Sequence, residues 1–141
     1  MSKGYLLDTS AIFALTDNEE GADLVEDYLD KARKGQLSIH MSSMTIMEVY
    51  YVASSEGGED EANRLLFLTR ALPVKELPLE NALVLPAARV KARHKVSVAD
   101  AWIAATAMIH DLAVIHKDPE FDRLKDTLSL LPLPFKPKKK R

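Results

Sequence analysis

Three carboxylates stand where folding alone gives a carboxylate no reason to be. Asp8 interrupts the run GYLLDTSAIFAL, Glu48 interrupts MTIMEVYYVA, and Asp100 interrupts VSVADAWIAATAMI. Burying an unpaired carboxylate costs several kcal/mol, on the order of a domain's whole stability margin, so each acid needs compensation. Taken singly, each has an ordinary one. Asp8 precedes a helical pattern and fits its N-cap. Thr45-x-x-Glu48 and Ser97-x-x-Asp100 have the spacing of capping boxes, in which the acid reaches back to a backbone amide. A fourth acid, Asp118, precedes Pro119 and fits an N-cap with proline at the first helical position.

Taken together, these readings lead elsewhere. All four acids fall at strand ends or helix starts, and in an open parallel sheet those positions share the one edge where ligands bind. Four carboxylates on one edge repel each other, and helix N-termini of about half a charge each do not neutralise them. A hard divalent cation does. The chain has no cysteine, and its four histidines (40, 94, 110 and 116) have no metal-like spacing. An oxygen-only donor set selects Mg²⁺ or Mn²⁺ over zinc. Such an ion acidifies a bound water and polarises a phosphoryl oxygen. Arg89, Lys91, Arg93 and Lys95, just upstream of Asp100, make a phosphodiester backbone the natural substrate, held by its phosphates without reading bases.

The elements that must position these acids alternate between short apolar runs and longer helical patterns. Strands are expected at 5–7, 37–41, 74–77, 113–116 and 127–131. Helices are expected at 10–15, 21–33, 44–55, 61–72, 98–110 and, briefly, 119–125. A helix-like stretch over 79–94 contains Pro86, which implies a break or kink. The alternation predicts βαβ units and a mainly parallel sheet covered on both faces, a three-layer α/β/α sandwich. The alanines at 101, 104, 105 and 107 read as close helix packing, and Trp102 as core or dimer interface.

Composition is consistent with this and excludes much else. With 141 residues, 47% apolar and 28% charged, the chain has the length and balance of one globular domain. Disulfides, Cys-ligated zinc, iron–sulfur clusters and thiol catalysis are excluded, and no apolar run approaches the roughly 18 residues of a membrane span. The N-terminal residues do not read as a signal peptide, so a cytoplasmic location is expected. The net charge of −2 hides a split: residues 1–61 carry 13 acids against 4 bases, whereas 62–141 carry 8 acids against 15 bases. A domain over 1–132 is expected to be followed by a basic tail over 133–141, with Lys136, Lys138, Lys139, Lys140 and Arg141 able to reach toward a polyanion.

At these residues the sequence resembles a PIN domain, most closely the VapC-like ribonuclease toxins of prokaryotic toxin–antitoxin pairs. Leu6-Leu7-Asp8-Thr9-Ser10-Ala11 resembles the family's opening, where the aspartate ends the first strand. Glu48, after Ser43-Met44-Thr45, resembles its second acid. Val98-Ala99-Asp100-Ala101-Trp102-Ile103-Ala104-Ala105-Thr106-Ala107 matches the family's Asp-Ala-x-Ile-Ala-Ala-Thr-Ala helix, and Asp118 with Phe121 resembles its closing element. The resemblance spans about residues 4–131. It implies a Mg²⁺- or Mn²⁺-dependent endoribonuclease, a homodimer, and an antitoxin whose C-terminal segment lies across the site. Carried over, Asp8, Glu48 and Asp100 are metal ligands. Asp118 binds metal more weakly or orients water, and Ser10 hydrogen-bonds within the cluster. Position 116 departs from the pattern: the family often has threonine there, and His116 is either a donor to phosphate, titrating near neutral pH, or a strand-end residue without a task. Pro86 and the tail are not part of the pattern.

Other readings make different demands. A phosphoacceptor receiver domain needs paired acids at the end of the first strand, where this chain has Leu7 before Asp8. A haloacid-dehalogenase-type phosphatase needs Asp-x-Asp, and position 10 is serine. An RNA-processing nuclease of the PIN class, not paired with an antitoxin, is the alternative within the family.

Overall fold

Three consecutive residues show how the sheet is built. In β1 (Tyr5–Leu7), Tyr5 and Leu7 pack into one hydrophobic cluster and Leu6 into another. Successive strand side chains point to opposite faces, so both faces of this strand are covered. The same split recurs in β4 (Ala113–His116), where Val114 and Ile115 belong to opposite clusters, and in β5 (Leu130–Pro132), where Leu130 and Leu131 do. A sheet buried on both sides is the environment in which parallel strands are stable.

The structure, a computed structural model, describes residues 4–134. β2 (Ile39–Ser42) and β3 (Lys75–Leu77) complete a five-stranded sheet of order β3-β2-β1-β4-β5, and every pairing is parallel. Helices α1 (Thr9–Thr16), α2 (Ala22–Arg33), α3 (Ser43–Gly57) and α4 (Glu59–Arg70) supply one cluster. The other is dominated by α6 (Val98–His110), with Val90 of α5 (Val84–Arg93) against it. This is the expected three-layer α/β/α sandwich. The strand order reverses between β1 and β4, and in open parallel sheets such a reversal opens a crevice at the carboxyl ends of the strands.

Element types agree with the sequence, and the differences are local. The stretch expected as helix-like over 79–94 is divided, but upstream of Pro86, and α5 runs through that proline without interruption. The chain first makes a 3-10 turn over Asn81–Leu83, α5 then starts at Val84, and Pro86 lies in its first turn, where a missing N–H costs no helical bond. The segment expected as a helix over 119–125 is a 3-10 turn, Pro119–Leu124. The last strand is three residues long and includes Pro132, which an edge strand tolerates. The alanine face of α6 is buried, with Ala105 against Leu83 and Ala87 and Trp102 half-buried beside them.

Packing continues at Leu133, just beyond the boundary expected at 132. Leu133 is buried, and its N–H donates to His116 O at 2.7 Å. It packs on Gly21, the residue that starts α2 with φ 97°. A Cβ there would lie 3.1 Å from Leu133 Cβ in a left-handed backbone conformation that disfavours side chains. Gly21→Ala is therefore expected to cost about 1–2 kcal/mol, read as a lower urea midpoint with an unchanged slope. The lysine-rich residues of the tail lie outside the described residues. No helix among those described is long and apolar enough to cross a membrane.

Candidate active site

β1 ends at Leu7 and the chain turns at once into α1, so Asp8 stands at the carboxyl edge of the central strand. It caps α1: Oδ2 accepts from Ser10 N at 3.0 Å and from the Ser10 hydroxyl. Ser10 Oγ in turn accepts from Lys117 N at 2.8 Å, which ties the start of α1 to the residue after β4. The cap uses only one oxygen. Asp8 is 2% exposed, and its Oδ1 is buried with no hydrogen-bond partner.

The two capping boxes are not formed as their spacing suggested. α3 is capped by Ser42, whose Oγ accepts from Met44 N at 3.0 Å, so Thr45 is inside the helix and Glu48 a full turn further on. Glu48 Oε1 instead accepts from Thr9 Oγ1 at 2.6 Å, and Thr9 Oγ1 lies 3.2 Å from Thr45 Oγ1. At α6 only half the box exists. Ser97 Oγ accepts from Asp100 N at 3.0 Å, but Ser97 N donates to Glu120 Oε1 at 3.3 Å. The Asp100 carboxylate thus has no duty in its own helix cap, although it is 6% exposed.

Asp118 caps the 3-10 turn after β4, accepting from Glu120 N at 2.9 Å. Its own N–H donates to His116 Nδ1 at 3.2 Å. His116 is fully buried, and its ring stacks at a tilt on Phe121, 5.0 Å between centroids. Burial pushes its pKa down, and Nδ1 is occupied as an acceptor. His116 thus packs beneath the turn, with its Nε2 buried and without a hydrogen-bond partner.

Three carboxylates converge here: one oxygen from each of Asp100, Asp118 and Glu120 lies within 4.8 Å of the others. Glu120 was missed in the sequence. Its signal is its place two residues after Asp118 in a proline-started turn, which sends both acids to the same edge. Asp8 is close enough to shift and be shifted. Burial pushes its carboxyl up to about 6 against the two Ser10 hydrogen bonds, and the charges of Asp118 and Glu48 add to the rise. Asp100 is raised further, first by burial, then by the charges of Asp8 and Asp118, a hydrogen bond with Asp118, and the charge of Glu120. Asp8, Asp100, Asp118 and Glu120 thus form one electrostatic unit. Glu48, engaged by Thr9, is linked to this unit through its charge on Asp8.

The oxygen-only cluster of Asp100, Asp118 and Glu120, with the electrostatically linked Asp8 carrying a buried oxygen without a partner, suits a hard divalent cation. Arg89, Lys91, Arg93 and Lys95 lie on the exposed side of α5 and the loop after it, outside this cluster.

Fold and site define an α/β domain with a carboxylate cluster at the point where the strand order of its parallel sheet reverses. A PIN domain family model matches residues 5–126, and the chain belongs to that family. No curated protein sequence matches it. Solved structures similar to it include chains of VapBC toxin–antitoxin systems. VapBC2 from Rickettsia felis, bound to a DNA fragment from its promoter, has a TM-score of 0.75 at 16% identity, covering 92% of this chain and 98% of that one. DNA-bound VapBC from Salmonella typhimurium has a TM-score of 0.74 at 19% identity, covering 94% and 98%. VapC20 from Mycobacterium tuberculosis, a Sarcin-Ricin loop cleaving toxin, has a TM-score of 0.68 at 15% identity, covering 89% and 96%.

Proposed function

We propose that this protein is a metal-dependent endoribonuclease and the toxin of a toxin–antitoxin pair. One observation carries the reading: carboxylates from the end of β1, the start of α6 and the turn after β4 meet at one edge with more negative charge than burial allows. Asp8, Asp100, Asp118 and Glu120 would hold Mg²⁺ or Mn²⁺. When bound, such an ion acidifies a water and stabilises charge developing on a phosphoryl oxygen. Ser10 orients the Asp8 carboxylate and is itself fixed by Lys117 N. Ser97 fixes the first turn beneath Asp100, and His116 holds the backbone of Asp118. Glu48, steadied by Thr9, adds its charge to that around Asp8. Arg89, Lys91, Arg93 and Lys95 would hold RNA phosphates, and the tail beyond Pro134 supplies more positive charge. A cytoplasmic homodimer bound by a cognate antitoxin protein completes the reading, and the likeness to VapBC complexes supports the antitoxin partner.

The test is direct. Purified protein freed from any partner is incubated with structured RNA in Mg²⁺, in Mn²⁺ and in excess EDTA. Fragments in either metal and none in EDTA are expected. Intact RNA in both metals, from protein that binds Mn²⁺ in a separate titration, rejects the nuclease reading.

A further inference from the structure

A second feature lies away from the carboxylates. Between α5 and the far end of α6 is a pocket of about 280 Å³ whose lining includes Pro86, Val90, Met108 and Ile109, with Arg89 and Arg93 among its walls. Met108 and Ile109 are 41% and 50% exposed, although the rest of α6 from Asp100 to Ala107 is mostly buried. Among the described residues Lys31, Arg33, Arg64, Arg70 and Lys117 each pair with an acid, but Arg89, Lys91, Arg93 and Lys95 do not. The pocket therefore joins an apolar floor to cations with no internal partner.

The pocket is connected to the carboxylates. His94 belongs to its lining and also to that of a neighbouring cavity of about 480 Å³, which runs along Lys91 and Lys95. The loop beyond is pinned to the turn that carries Asp118: Arg123 donates to Lys95 O, and Ser97 N donates to Glu120. Along α6, Met108 is about 12 Å from Asp100 at 1.5 Å per residue.

A planar apolar face needs an apolar floor, and phosphates on either side of it need cations. An A-form duplex offers phosphates and hydroxyls but keeps its bases stacked inside, whereas an unpaired strand offers both. We propose that this pocket takes one unpaired base of single-stranded RNA, with its flanking phosphates on Arg89 and Arg93, a few nucleotides from the scissile bond. The substrate class rests on the nuclease reading, and the site would make that nuclease selective for single strands.

The experiment measures fluorescence anisotropy in EDTA, where cleavage does not interfere, using a labelled 12-nucleotide single strand and a duplex of equal length. Wild type is expected to bind the single strand at least about tenfold more tightly. Arg89→Gln/Arg93→Gln should weaken it about tenfold or more and flatten the log–log salt dependence by about 1.4, at about 0.7 per phosphate contact on single strands. Met108→Ser/Ile109→Ser should remove the single-strand preference and leave the salt slope unchanged. All four side chains are at least partly exposed, and an unchanged melting temperature verifies folding. Equal affinity for duplex and single strand in wild type, or wild-type affinity in both variants, overturns the assignment, as does binding of an acidic polypeptide with no RNA binding. The two readings fail separately. Variants that bind like wild type while RNA is still cut sink the pocket alone, and pocket-dependent binding without cleavage in either metal sinks the nuclease alone.

Discussion

Asp100→Asn is expected to lower Mg²⁺- or Mn²⁺-supported RNA cleavage at least about a thousand-fold, equivalent to about 4 kcal/mol of transition-state stabilisation, while the metal-free protein becomes more stable. The two effects share a cause. The Asp100 carboxylate is buried beside Asp8, Asp118 and Glu120 and has no capping bond of its own to lose. Asparagine keeps the shape and the Ser97–Asp100 amide bond but removes the charge. Repulsion and the desolvation of an ion then fall together, and so does the capacity to hold a cation. Glu48→Gln is the informative comparison. One oxygen of its carboxylate is already engaged by Thr9, so a smaller loss of about 10–100-fold is expected, as for residues supporting a metal site. Cleavage rates under single-turnover conditions, with melting curves in EDTA, check both variants. A destabilised Asp100→Asn protein would mean that the carboxylate serves the helix and not a metal.

The sequence revealed which acids were anomalous because an acid in an apolar run is a local fact. It revealed the sheet because short apolar runs between long amphipathic ones admit few topologies. It did not reveal how the acids are shared out. Capping spacing was visible at Ser97 and Asp100, but only the fold shows that Ser97 N–H goes to Glu120, 23 positions away. Thr45 and Glu48 had the same spacing, yet α3 starts earlier because Ser42 is the better placed cap. Glu120 sat among polar residues and looked solvated; its role depends on a 3-10 turn bringing it beside Asp118. His116 was legible as a departure from the family pattern but not as a buried support, since burial at a strand end depends on Phe121 and on the chain returning through Leu133. Long-range pairing therefore accounts for most of what was missed.

The same crowding should be measurable without any RNA. Asp8 titrates near 6 in the folded protein and Asp100 is raised further, whereas unfolded aspartate titrates near 3.8. Over that interval the folded state binds more protons than the unfolded state, so stability falls as pH rises. From Asp8 alone, a rise of about 2 pH units corresponds to about 3 kcal/mol, most of it lost between pH 4 and 7, and Asp100 extends the decline above that. Metal-free protein is thus expected to melt at a lower temperature at pH 8 than at pH 5, the reverse of a domain stabilised by paired carboxylates. Adding Mn²⁺ at about a hundredfold over its dissociation constant should restore about 2.7 kcal/mol. It should do so more fully at pH 8 than at pH 5, where protons compete for the same oxygens. Calorimetric melting at the two pH values, with Mn²⁺ and with EDTA, gives all four numbers. Equal melting temperatures in EDTA, or the same Mn²⁺ shift at both pH values, would mean that the four carboxylates do not compete for one small volume.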